Sequence, residues 1–126
     1  EYVQFGRNRH CIAGQGNGGY TARYCVVEGG QRSHAFDHHG SGGLIKIHNN
    51  RFELQPDRGH ASSAYRAREP AQDARIHHNW CYHGTGVDSP EQKSINDAIW
   101  YINGGSYSIH DNHYGTSEPP AGIGLD

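Results

Sequence analysis

One frame, Ile-His-x-Asn followed by a large or apolar residue, occurs three times in this chain and limits what it can fold into. The copies are Ile47-His48-Asn49-Asn50-Arg51-Phe52, Ile76-His77-His78-Asn79-Trp80-Cys81 and Ile109-His110-Asp111-Asn112-His113-Tyr114. The asparagines in the fourth place lie 29 residues (50 to 79) and 33 residues (79 to 112) apart. A weaker copy, Ala22-Arg23-Tyr24-Cys25-Val26-Val27, puts Cys25 in the Asn place. A second series interleaves with the first: Ile12-Ala13-Gly14-Gln15-Gly16, Phe36-Asp37-His38-His39-Gly40, Tyr65-Arg66-Ala67-Arg68-Glu69 and Trp100-Tyr101-Ile102-Asn103-Gly104, spaced by 24, 29 and 35 residues. Units of this length bury an apolar face only by stacking on their neighbours. The chain is therefore expected to be all-β, a parallel solenoid of about four to five coils.

Period-two alternation sorts the side chains. Ile45 and Ile47, Ala74 and Ile76, and Tyr107 and Ile109 are expected inside; Lys46 and His48, Arg75 and His77, and Ser108 and His110 outside. Asn50, Asn79 and Asn112 fit an internal ladder, each amide bonding to the next at a strand bend. Gly16-Asn17-Gly18-Gly19, Gly40-Ser41-Gly42-Gly43 and Gly104-Gly105 suit corners that need positive φ. Residues 55–60 and 84–94 are expected to protrude as loops. Ser89-Pro90-Glu91-Gln92 has the form of a helix start, with Ile95, Ala98, Ile99 and Ile102 behind it, although Trp100 and Tyr101 fall at a strand position. The end segment, 118–126, with Pro119-Pro120, reads as extended.

Composition supports a thin core with many turns. Only 33% of the 126 residues are apolar, against 18 Gly and 11 His, and one domain spanning 1–126 is expected. The formal charge is −2 and the basic residues are scattered singly, which excludes a phosphate-neutralising stripe and hence nucleic acid as partner. No apolar run approaches the roughly 20 residues of a membrane span. A chain that opens on Glu1 and contains no Met is expected to be a processed or excised part of a longer one. Cys11, Cys25 and Cys81 form neither a full disulfide framework nor a CxxC motif; one pair plus a free thiol is compatible with the count.

The Ile-His-His-Asn-Trp and Ile-His-Asn-Asn-Arg-Phe copies, with Asp-Asn-His-Tyr-Gly after them, resemble the repeats of the right-handed parallel β-helix superfamily, which includes pectate-lyase-like proteins. The resemblance covers about residues 10 to 115. It implies right-handed winding, a secreted or extracellular location and a polysaccharide partner. A calcium-binding acidic cluster and a catalytic arginine motif of the pectate lyase kind do not map onto this chain.

If the second series stacks in register, Ala13, Asp37, Arg66 and Tyr101 form one outward column, and Gln15, His39, Arg68 and Asn103 another. Layers about 4.8 Å apart suit the grip of an acidic sugar. Uronic-acid lyase chemistry needs a cation on the carboxylate, a base for the C5 proton and an acid for the leaving oxygen. Arg66 or Arg68, His39 and Tyr101 are the candidates, with Asp37 on the same face and Gln15, Asn103 and Trp100 as substrate contacts. The plainer alternative is an exposed Asp37–Arg66 ion pair. His34 and His38 alternate to the opposite side, His38 as a hydrogen-bonded core histidine. A further column, Arg23, His48, His77 and His110, offers three imidazoles to a divalent metal (Zn, Cu or Ca), with His78 and Asp111 beside it. The expected functions are an extracellular polysaccharide-binding or lyase-like protein, a non-catalytic module of an appendage or fibre that self-associates end to end, or a His-ladder metal binder.

Overall fold

A computed structural model describes residues 3–5, 10–28, 34–54, 63–83 and 99–125. The helix start at Ser89 and the excursions at 55–60 and 84–94 lie outside these residues.

Thirteen short strands follow one another: β1 Gln4–Phe5, β2 Ile12–Gln15, β3 Tyr20–Arg23, β4 Val26–Val27, β5 Phe36–His39, β6 Leu44–His48, β7 Arg51–Glu53, β8 Tyr65–Ala67, β9 Ala71–His77, β10 Trp80–Tyr82, β11 Trp100–Ile102, β12 Gly105–His110 and β13 His113–Tyr114. Each pairs with the strand three places along the chain, always in parallel. Three sheets result, β1-β4-β7-β10-β13, β2-β5-β8-β11 and β3-β6-β9-β12. No helix occurs among the described residues. This all-β, three-sheet arrangement is compatible with a parallel β-helix.

The repeats predict the register. Ala22, Ile47, Ile76 and Ile109 are consecutive partners in the third sheet, as are Arg23, His48, His77 and His110. Ile45, Ile47, Ala74 and Ile76 are wholly buried. Tyr107 departs from the expectation: it is aligned with Ala74 but 47% exposed, because β12 is the edge of its sheet among the described strands. Phe36, Phe52 and Trp100 from two sheets meet edge to face at 5.1 and 5.8 Å, a geometry that adds about 0.5–1.5 kcal/mol per pair beyond area burial.

Two kinds of corner turn the chain. Glycines make one: at Gly40, with φ 109°, an added Cβ would stand 2.7 Å from the Gly16 nitrogen of the neighbouring layer, so no side chain fits. The other has no glycine. Tyr24, Asn49, His78 and Asp111, each just before the Asn column, adopt φ of 51–54°. The bend exposes backbone groups that the Asn side chains satisfy. Asn79 Nδ2 donates to Ile47 O (3.0 Å) and Asn112 Oδ1 (2.9 Å), while its Oδ1 accepts from Asn50 N (3.1 Å) and Asn50 Nδ2 (3.0 Å). Asn50 repeats the pattern toward Ala22 O and Cys25 N, so Cys25 ends the ladder as a recipient.

All three cysteines are free, so the single disulfide compatible with their count does not form. Burial pushes the Cys11 thiol up to about 11, so it stays protonated.

Candidate functional site

The second sheet carries the site. Asp37 on β5 is in register with Ala13 on β2 and Arg66 on β8, and Arg66 with Tyr101 on β11; Gln15 is in register with His39. The pairing continues one residue further, through Arg68 N to His38 O (3.1 Å) and Asn103 N to Ala67 O (3.3 Å). The two columns read from the sequence are thus real neighbours.

Their surroundings differ from the expectation. Asp37 is not an exposed partner of Arg66; its side chain is 0% exposed. His39 Nε2 donates to its Oδ2 at 2.8 Å, and His10 Nε2 and Arg68 Nη2 stand at 3.7 and 3.9 Å from the same oxygen. The other oxygen, Oδ1, is buried with no hydrogen-bond partner among the described residues.

His34 is also not where alternation puts it. His34 lies ahead of β5, beyond a bend at Ala35, so the alternation within the strand does not extend to it. It meets Arg66, whose Nη1 donates to its Nε2 at 2.8 Å, and the His10 ring stacks on it at 6.2 Å. A guanidinium can only donate, so the His34 proton sits on Nδ1. Sequence reading missed His10, although it precedes Ile12 by two residues as His34 precedes Phe36. Extending the second series two residues upstream reveals that column.

His38 points inward and is wholly buried, but neither ring nitrogen has a hydrogen-bond partner among the described residues, so it is not the satisfied core histidine expected. Gly14 makes room for it: a Cβ there would lie 2.8 Å from His38 Nδ1. Trp100 is not on the Asp37 face either. It is 2% exposed in the core, and its Nε1 donates to Tyr114 Oη at 2.8 Å. Gln15 and Asn103 are exposed on the expected face, with Asn103 Nδ2 bonded to Arg68 O.

Burial, and then the Arg66 guanidinium, lowers the His34 pKa to about 4. An unfolded His34 takes up its proton near 6.5, so between about 6.5 and 4 the unfolded state binds the extra proton and stability falls as pH falls. The shift corresponds to roughly 2–3 kcal/mol over that range. The slope of unfolding free energy against pH is expected to flatten in His34→Gln, measured by urea titration at several pH values. An unchanged slope would show that His34 is not held neutral.

This arrangement suits proton abstraction. A buried carboxylate holding Nε2–H fixes the tautomer of His39 and leaves its Nδ1 lone pair for a substrate proton, while His39 itself is 40% exposed. Arg66 on the adjacent strand β8 and Arg68 just past its end supply cations.

On the third sheet His48, His77 and His110 stack face to face, with centroids 5.0 and 5.2 Å apart and planes within 12°. Parallel rings aim their lone pairs in parallel, so this conformation does not converge the three on one ion. Burial, with His48, His78 and His110 around it, lowers His77 to about 4. No helix among the described residues is long and apolar enough to cross a membrane. No protein-family model, curated protein or solved structure matches the chain.

Proposed function

We propose that the stacked strands wind as a right-handed parallel β-helix of the pectate-lyase-like kind, and that its Asp37 face binds and cleaves an acidic polysaccharide outside the cytoplasm by β-elimination. The observation that carries this reading is the 2.8 Å bond between buried Asp37 and partly exposed His39, with Arg66 on the neighbouring strand and Arg68 just past its end. In the reaction His39 Nδ1 takes the C5 proton of a uronic acid, the C4=C5 double bond forms, and the C4–O4 bond breaks. The leaving oxygen receives a proton from Tyr101 or water. Arg66 or Arg68 neutralises the sugar carboxylate, which makes the C5 proton more acidic. A glycosidase would want two carboxylates at a set separation. Asp37 is the only one in the two outward columns, which favours elimination.

Incubation with polygalacturonate, alginate and other polyuronates is expected to release oligosaccharides with an ultraviolet-absorbing unsaturated end. Absence of both product and binding across the panel would sink the reading.

The exposed Tyr107 on edge strand β12 favours a second reading, a structural module that associates end to end. Light scattering that stays monomeric at high concentration counts against it.

A further inference from the structure

We infer that His78, His110 and Asp111 form a binding site for one divalent transition-metal ion, at a corner distinct from the Asp37 face that shares only His110 with the stacked-imidazole column. Their ligand atoms lie within 4.8 Å of one another. The pieces come from two layers: His110 ends β12 and Asp111 follows it, and His78 holds in its own layer the corner position that Asp111 holds in the next. Both corner residues have the same left-handed backbone, φ 54° and 51°. That backbone brings side chains of consecutive layers beside the outward histidine of the second. His110 Nδ1 and Asp111 Oδ2 are already 2.8 Å apart, and the His78 ring stands perpendicular to that of His110, with centroids at 6.1 Å.

An ion held at about 2.0–2.1 Å by each ligand needs the ligand atoms about 3.0–3.4 Å from one another. His110 and Asp111 are exposed and His78 is partly so, so small rotations close the remaining gap. Two imidazoles and one carboxylate select zinc or copper over calcium or magnesium, which prefer oxygen ligands throughout. The corner is also where the end segment docks. Asn49 Nδ2 donates to Gly122 O and Gly124 N donates to His78 O, both at 2.8 Å. An ion here would join two layers beneath that segment and act as a staple at the corner.

Zinc titration of chelator-treated protein by calorimetry tests this. The expected result is one ion per chain, a higher thermal midpoint with zinc, and no binding of magnesium. Asp111→Asn, which suits a left-handed backbone, and His110→Gln should each weaken zinc about 100-fold, at the upper end of what outer-shell partners alone command. His48→Gln, on the same face one layer away from His77, should leave it unchanged. The inference is overturned by the absence of saturable zinc binding, by unaltered affinity in both ligand variants, or by a loss in His48→Gln equal to that in Asp111→Asn. Circular dichroism of each variant establishes that it is folded before it is scored.

Discussion

Asn79→Asp is expected to lower the unfolding free energy by about 3–5 kcal/mol, the sum of several buried polar groups each worth about 1–3 kcal/mol when left unpaired. The replacement is almost isosteric, so neither cavity nor overpacking contributes. Oδ1 can still accept from Asn50 N and Asn50 Nδ2. The other atom, which donates to Ile47 O and Asn112 Oδ1 in the wild type, becomes an acceptor facing two acceptors. Asn79 is wholly buried, so the new carboxylate gains no water in exchange. Burial raises its pKa above that of the unfolded chain. The folded variant then holds a proton that the unfolded one releases, and its deficit relative to wild type is smallest at acid pH and grows as pH rises through the folded pKa. Urea unfolding of both proteins across pH measures this. A deficit below 1 kcal/mol at neutral pH would mean that the ladder does not support the bend.

His39→Ala is expected to lower polyuronate cleavage by about 10²–10⁴-fold, the usual contribution of a positioned general base. Its melting temperature should fall only modestly, since His39 is partly exposed and packs no core, and its truncation lets water reach Asp37 Oδ2 in place of the lost hydrogen bond. Asp37→Asn should also reduce cleavage, through His39: the neutral amide no longer favours the tautomer with the proton on Nε2, and it leaves Arg68 and His10 without their nearby anion. Asp37→Asn should cost more stability than His39→Ala, because Asp37 is buried and water can replace the partly exposed His39. Wild-type rates in His39→Ala would remove His39 as the base and leave the Asp37 face a binding surface.

The two variants also mark how far sequence carries. Asn79 belongs to a ladder visible in the spacing of three copies, and the bonds among Asn50, Asn79 and Asn112 follow that reading residue by residue. The Asp37 face was legible only as columns. His39 and Arg68 were placed on it correctly, but the burial of Asp37 was not, nor the approach of His10 and His34. Trp100 has the residue type of a sugar platform and lies in the core instead. The non-glycine corner at Tyr24, Asn49, His78 and Asp111 was missed, because two of those four residues, Tyr24 and His78, carry no ordinary turn signal.

From the amino-acid order alone came the all-β class, the interleaved strand series, the inside and outside of most strands and the neighbours across layers. Those features are set by alternation and by repeat spacing, which are local and additive along the chain. Only the tertiary structure decided which polar groups are buried, which way His34 turns, and that His48, His77 and His110 stack instead of converging. Those depend on side chains 24 to 33 residues distant along the chain, and no window short enough to read as a pattern contains them.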